Sequence, residues 1–168
     1  MSIREAIEDA RRRLGLSVEQ LAEIEEKRAL TLTAEILARF TGSIDSWWWW
    51  EHFTLPAATA HFADGKGFAR ITAVVPDAGE KIWFVAGDDE RPNFPVYETT
   101  PAVAQQVIAE CYAFEYYLVA KDLGWLLCEN HHDLMMGLGD VHDRLLAYRA
   151  RDPGTVPNQG RPRSKDQR

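Results

Sequence analysis

The chain has 168 residues, of which 46% are hydrophobic and 11% aromatic, so it can bury a core and is not intrinsically disordered. Its length is close to that of a single domain. The formal net charge is −7, and residues 41–150 alone carry 7 basic and 16 acidic side chains, a net charge of −9. This acidity argues against a nucleic-acid-binding face and favours a basic partner, unless the charge serves only to keep the protein soluble.

The sequence predicts a cytoplasmic protein without a cofactor. The N-terminal residues alternate charged and apolar side chains and lack the apolar region of a signal peptide. No apolar run approaches the roughly 20 residues that a membrane span needs. Cys111 and Cys128 each lie in apolar sequence, which indicates free, buried thiols of a reducing compartment; a disulfide between them is the alternative.

The first forty residues predict a helical region in three pieces. Apolar side chains at three- and four-residue spacings indicate a helix over residues 3–14. Ser17 and Gln20 have the spacing of a capping box and indicate that a second helix begins there. Neighbouring β-branched residues weaken that helix, and Thr33 itself predicts the N-cap of a shorter helix over residues 34–40.

Four consecutive tryptophans follow, within the segment Trp47–Phe53. This run is too bulky and too short for an amphipathic helix, so it predicts an extended strand whose alternate side chains face opposite sides. Trp47 and Trp49 would then fill the core, and Trp48 and Trp50 would lie nearer a second surface. There they are predicted to anchor a partner, because tryptophan is enriched at binding hot spots; core filling is the alternative.

The middle of the chain predicts a hairpin and an acidic loop. Gly67–Val75 and Lys81–Ala86 are strand-like, and the intervening residues 76–80 contain the proline and glycine of a turn. The following loop is acidic, but its spacing matches no known calcium loop. Its carboxylates are predicted contacts to a basic partner: Asp88, Asp89 and Glu90.

The second half predicts hairpin strands with a helix before and after them. Thr100 and Pro101 have the form of an N-cap and first residue of a helix that continues through Cys111. Three strand-like runs and a last helix follow: Tyr116–Ala120, Trp125–Cys128, Leu134–Leu138 and Val141–Ala150.

These elements predict an α+β fold with a mainly antiparallel sheet, N-terminal helices, one helix before the central hairpin and a C-terminal helix. Residues 1–150 are expected to form a single domain. Residues 151–168 are polar and basic and predict a disordered tail.

A dense polar cluster occupies residues 129–133. If the preceding strand continued through it, Glu129, His131 and Asp133 would project to one face as a carboxylate–imidazole–carboxylate row. Such a row suits a partial metal site, an acid–base pair or a buried hydrogen-bonding network, although its spacing matches no known zinc-hydrolase motif. Alternatively, the cluster satisfies the backbone groups of a turn or serves as a recognition surface.

Two resemblances to known families accompany these patterns. The Lys121-Asp122 turn and the residues Trp125 through Asp133 (WLLCENHHD) resemble a bacterial family of small domains of unknown function, as does the tryptophan run. The N-terminal part is more faintly similar to the SMI1/KNR4-like (SUKH) immunity proteins: Leu32-Thr33 stands where these have Leu-Pro, and a short helix, a glycine and Trp47 follow. This second resemblance implies a protein that neutralises a bacterial toxin by binding it.

The sequence therefore predicts a non-catalytic protein-binding domain, an immunity protein that neutralises its cognate toxin by occlusion. A basic toxin domain is the expected partner, and neither nucleic acid nor a membrane is expected to bind. The alternative is a metal-dependent hydrolase that uses Glu129, His131 and Asp133. The predicted partner-binding residues are Trp48, Trp50, Asp88, Asp89, Glu90, Glu129, His131 and Asp133.

Overall fold

An antiparallel sheet forms the centre of the computed structural model, which describes residues 1–44, 46–87 and 93–157. Within these ranges the sheet has eight strands: β1 (Ala22–Glu23), β2 (Ala58–Phe62), β3 (Ile82–Ala86), β4 (Val96–Thr99), β5 (Tyr116–Ala120), β6 (Trp125–Glu129), β7 (Leu134–Gly139) and β8 (Thr155–Val156). Their order across the sheet is β1-β4-β3-β5-β6-β7-β2-β8, and every neighbouring pair is antiparallel.

Helices lie before, between and after the strands. They are α1 (Ile3–Arg13), α2 (Glu26–Phe40), α3 (Ile71–Val74), α4 (Pro101–Glu110) and α5 (His142–Arg151), together with short 3-10 helices at Trp49–His52 and Gly67–Arg70. The predicted fold class is confirmed: the protein is α+β, with α1 before the first strand, α4 directly before the central hairpin and α5 after it. Among the described residues, no helix is long and apolar enough to cross a membrane.

Both faces of the sheet are covered. Alternate side chains of β3 show this, because Phe84 joins a core with α1, α3, α4 and α5, whereas Trp83 and Val85 join a second core with α2 and Trp49. Every residue of β3, β5 and β6 is buried, as expected for strands packed on both sides. The central strands therefore read as continuous apolar runs in the sequence.

Helix α1 confirms the first predicted element. Ser2 is its N-cap and forms a capping box with Glu5, and the three consecutive arginines at its end favour the negative end of the helix dipole. Its apolar stripe is buried against the sheet: Ile3, Ala6, Ile7 and Ala10.

The predicted second helix at Ser17 is wrong, although the capping hydrogen bonds form. The Ser17 backbone N–H donates to the Gln20 side chain (2.9 Å), and the Gln20 N–H donates to the Ser17 hydroxyl (3.3 Å). These bonds close a turn, after which the chain becomes β1 and pairs Ala22 with Glu98 of β4. Pairing with a distant strand therefore outweighs the local helix signal.

The predicted break at Thr33 is also wrong. Helix α2 is continuous over 15 residues, and Thr33 lies in its interior. The nearby β-branched Thr31 is accommodated, because its hydroxyl donates to the carbonyl of Lys27 one turn earlier (3.3 Å). The helix ends close to the predicted place, where Gly42 adopts a left-handed conformation (φ 64°).

The tryptophan run is not a strand. Trp49–His52 form a 3-10 helix, so the side chains do not alternate between two faces. Trp49 is buried as predicted, but Trp47 is exposed rather than in the core. Trp48 is exposed and Trp50 is half-buried.

The predicted hairpin of Gly67–Val75 with β3 is wrong as well. Gly67–Arg70 form a 3-10 helix and Ile71–Val74 form α3, which packs against α4. Strand β3 instead lies between β4 and β5, so neither of its edges is free for a third partner. Strands β2 and β4 were not predicted.

The central strands confirm the prediction. Strands β5, β6 and β7 form a meander with Tyr117 opposite Cys128, and Cys128 opposite Met136. Thr100 caps α4 by accepting a hydrogen bond from the Val103 N–H (3.3 Å).

The first residues of the predicted tail are part of the sheet. Helix α5 continues to Arg151, and Thr155 and Val156 form β8, which pairs with His61 and Phe62 of β2. Asp152 forms an ion pair with Arg70 (3.3 Å). Residues 158–168 lie outside the described part of the chain.

Candidate functional site

An exposed aromatic surface lies beside the start of β5. We define it by Trp47, Trp48, Phe94 and Tyr112. Trp47 is 49% exposed, Trp48 44% and Tyr112 51%, whereas Phe94 is half-buried beneath Trp47 at a ring distance of 6.4 Å. A large apolar area thus faces solvent in one place.

The buried Trp49 explains why its neighbours are exposed. Its ring packs against Tyr117 of β5 (4.7 Å between centroids) and against Phe94 (5.6 Å). Because Trp49 takes the inward position in this short turn, the preceding Trp47 and Trp48 remain outside the core. The core therefore supports Phe94, on which the exposed Trp47 packs.

Trp47 separates two grooves. The smaller one has a volume of about 410 Å³ and contains the aromatic surface together with Glu115 and His131 in its wall. The larger one, of about 900 Å³, runs between α2 and the segment before β4, and Leu30 and Leu37 contribute to its wall. Both grooves have Trp47 and Phe94 in their walls, so they adjoin at these two residues.

Glu115 is the polar centre of the smaller groove. Its Oε1 accepts hydrogen bonds from the Trp50 indole Nε1 (3.2 Å) and the His131 backbone N–H (3.1 Å), and it lies 2.5 Å from His131 Nδ1. Among the described residues, nothing donates to its second oxygen, Oε2. The side chain is only 12% exposed, so its position is fixed.

His131 joins Glu115 to the aromatic surface. Its ring lies 5.6 Å from that of Trp48, 5.9 Å from that of Trp50 and 4.0 Å from that of His132. These contacts bring three of the predicted partner-binding residues together: Trp48, Trp50 and His131.

The segment around His131 is a turn and not a continued strand. Asn130 Oδ1 accepts from the N–H groups of His132 (2.9 Å) and Leu134 (3.2 Å), and Asp133 adopts a left-handed conformation (φ 55°). An Asn side chain that closes its own turn is a common alternative to strand pairing. The structure therefore has the turn that was one of the predicted roles of this cluster.

Glu129 belongs to the interior and not to the surface. It is 6% exposed; its Oε2 accepts from the Tyr116 hydroxyl (2.7 Å), and its Oε1 accepts from the Gly67 N–H (2.9 Å). Burial raises the pKa of this carboxyl, and the hydrogen bonds from Tyr116 and Gly67 oppose that shift. A Cβ at position 67 would collide with the carboxylate, so a larger residue there would have to displace the Glu129 side chain.

The predicted row of Glu129, His131 and Asp133 is therefore not formed. Glu129 bonds to Tyr116, whereas His131 bonds to Glu115, and Asp133 is exposed beside Gly65. Within residues 1–44, 46–87 and 93–157, no group of three or more His, Cys, Asp or Glu side chains could hold a metal ion.

The two cysteines do not supply a nucleophile. Both are free thiols; burial raises the pKa of Cys111 to about 11 and raises that of Cys128 well above its ordinary value. A reactive cysteine needs a lowered pKa and access to solvent.

The three remaining predicted contacts, Asp88, Asp89 and Glu90, lie outside the described residues. In contrast, Phe94, Tyr112 and Glu115 were not predicted. Glu115 meets Trp50 across 65 positions of the chain, and no local spacing in the sequence indicates such a contact.

The fold and this surface define a small α+β domain with an exposed aromatic groove. The chain belongs to a family of unknown function (DUF6756), which it matches over residues 1–149. No curated protein and no solved structure matches the chain. The similarity to the SUKH immunity proteins therefore finds no support in these comparisons.

Proposed function

We propose that the protein is a non-catalytic binding domain, an immunity protein that neutralises a bacterial toxin by occluding it. The observation that carries this proposal is the aromatic surface, where the adjacent Trp47 and Trp48 are 49% and 44% exposed beside a groove. Large exposed apolar patches are unusual on soluble proteins and mark interaction sites.

The packing of the surface supports a binding role. Trp47 packs on Phe94, which itself packs on the buried Trp49, and Trp48 packs against His131. A binding surface that is already ordered loses little conformational entropy when its partner arrives. Tryptophans in such positions are the residues most often found at interface hot spots.

Charge indicates the kind of partner. Residues 41–150 have a net charge of −9, so a basic protein is attracted and another acidic one is repelled. The proposed partner is therefore a basic toxin domain.

A pull-down with the product of the neighbouring gene tests the proposal, since toxin and immunity genes are expected to be adjacent. We expect capture by the wild-type protein and at least tenfold weaker binding by Trp48→Ala, because a hot-spot tryptophan contributes about 2 kcal/mol or more. Val18→Ala is the matched control, since Val18 is 59% exposed and lies away from the aromatic surface. A failure to capture that product, or equal binding by both variants, would refute the proposal.

The alternative function, metal-dependent hydrolysis by residues 129–133, is not favoured by the structure, because the predicted row of side chains is not formed. The alternative needed Glu129, His131 and Asp133 in one row, and their hydrogen bonds hold them apart. Metal analysis of protein purified without a histidine tag provides the test. A stoichiometric transition metal would favour the hydrolase over the binding domain.

A further inference from the structure

The smaller groove combines two features that suit a cation. Aromatic side chains line it, among them Trp47, Trp48 and Tyr112, and Glu115 places a carboxylate in the same wall. The electron-rich face of a tryptophan attracts a cation within about 6 Å of its centroid. A carboxylate among such rings adds a full negative charge.

Within the described residues, one oxygen of Glu115 remains available to a ligand of the groove. The Trp50 indole N–H and the His131 backbone N–H both donate to Oε1, and His131 Nδ1 contacts the same oxygen, so these groups hold the carboxylate in place. Within the described part of the chain, Oε2 has no hydrogen-bond donor, and a carboxylate oxygen accepts its strongest bonds from charged donors.

We propose that this groove binds the guanidinium group of an arginine side chain of the protein partner. The inference rests on the proposed function and names the chemistry of the contact. The guanidinium donates to Glu115 Oε2, and its plane lies against Trp48 or Trp47. The acidic residues 41–150 bring the basic partner to this side chain.

Arginine suits the groove better than a neutral side chain for two reasons. Its guanidinium is planar and weakly hydrated, so it stacks on aromatic rings at a small desolvation cost. It is also always charged, which compensates the carboxylate of Glu115. A neutral group of the same shape would provide neither the attraction to the rings nor this compensation.

A titration with N-acetylarginine amide, followed by two-dimensional ¹H–¹⁵N NMR, tests the inference. The chain has six tryptophans, each of which gives one indole N–H signal, and loss of a signal in Trp48→Leu assigns that residue. N-acetylcitrulline amide is the matched probe, because it has nearly the same shape without the charge. The buried Trp125 provides an internal control.

We expect the arginine probe to shift the Trp48 and Trp50 signals and to leave that of Trp125 unchanged. The citrulline probe should bind about tenfold more weakly, because a hydrogen bond between charged groups is stronger than a neutral one. Glu115→Gln retains an acceptor for Trp50 and His131 but removes the charge, so it should reduce arginine binding to the citrulline level. Equal shifts with both probes, or none with either, would overturn the inference.

The outcome is separate from that of the pull-down. If the groove binds arginine but the neighbouring gene product is not captured, the inferred arginine site stands and the proposed immunity function is refuted. The opposite outcome is that the gene product is captured equally well by Glu115→Gln and that the arginine probe shifts no signal. The proposed binding function then stands, and the inferred arginine site is refuted.

Discussion

At the scale of single residues, neighbours in this chain have opposite environments. Trp48 is 44% exposed and Trp49 only 2%. Glu129 is enclosed by Tyr116 and Gly67, whereas His131 lies at the surface two positions later. In the first pair, Trp49 takes the inward position at the start of a 3-10 helix. In the second pair the turn after β6 is the cause, because residues two positions apart would share a face if the strand continued.

Glu129→Gln should change how stability depends on pH. The pKa of Glu129 is raised by burial above its ordinary 4.5, so the folded state retains this proton more tightly than the unfolded state. Below pH 4.5 both states are protonated and the carboxyl costs nothing. As the pH rises through this value towards the folded-state pKa, the wild-type protein loses stability, and the glutamine variant does not.

Urea denaturation of both proteins from pH 4 to pH 8 measures this effect. The difference in unfolding free energy, wild type minus variant, should decrease with rising pH; parallel curves would show that Glu129 keeps the same pKa in both states.

Trp125→Ala should be strongly destabilising. Trp125 begins β6, is 5% exposed and belongs to the core that contains residues of α1, α3, α4 and α5. Removal of a buried tryptophan side chain costs about 3–5 kcal/mol. Trp48→Ala is the matched control and should cost less than about 1 kcal/mol, because its site is half-exposed. Equal losses in chemical denaturation would contradict the assignment of Trp48 to the surface.

At the scale of elements, α2 shows how packing overrides a local signal. Thr31 and Thr33 indicate a break, but the helix buries Ile36, Leu37 and Phe40 against the second face of the sheet. The free energy of that burial exceeds the small cost of two β-branched residues in a helix. The strands beneath it are apolar throughout, so an uncovered face would be costly.

Thr33→Ala distinguishes a helix interior from a cap by the sign of its effect. In an interior position, alanine should raise the unfolding free energy by about 0.5 kcal/mol, because it is the better helix former. At an N-cap the same change would cost about 1 kcal/mol, which is the loss expected for Thr100→Ala in α4. Urea midpoints of both variants provide the measurement, and a loss in Thr33→Ala would indicate that the helix begins there.

At the scale of the whole molecule, a sheet covered on both faces carries an acidic surface and one aromatic region. Residues 41–150 have a net charge of −9. Such a field acts over about 10 Å at 0.1 M salt, whereas the contacts of the aromatic surface act only after the partner has docked. Charge and aromatic contacts should therefore control different rate constants.

Raising the salt concentration should slow association with the proposed basic partner several-fold and change dissociation much less. Stopped-flow or surface-binding kinetics at about 0.05 and 0.5 M NaCl measure both rates. Replacement of Asp88, Asp89 and Glu90 by their amides should reduce the salt dependence, whereas Trp48→Ala should mainly raise the dissociation rate. A salt-independent association rate would refute a role for the acidic charge.

The sequence by itself determined the elements whose signals are local. The central strands β5, β6 and β7 are continuous apolar runs between turns, and α1 and α4 have caps and periodic apolar faces. These signals depend on residues only a few positions apart, so they can be read from the chain alone. The predicted exposure of Trp48 agrees with the structure, although it was inferred from a strand and the segment is a 3-10 helix.

The tertiary structure decided everything that depends on distant partners. Strand β1 follows a capping box because β4 pairs with it, and Gly67–Val75 is helical because β3 already lies between β4 and β5. The groove likewise joins Trp47, Phe94 and Glu115, which no sequence spacing relates. Such contacts join residues that are far apart in the sequence, so forming them costs loop-closure entropy. Their favourable free energy is gained only when the complete fold brings these residues together. Local propensities contain no information about them.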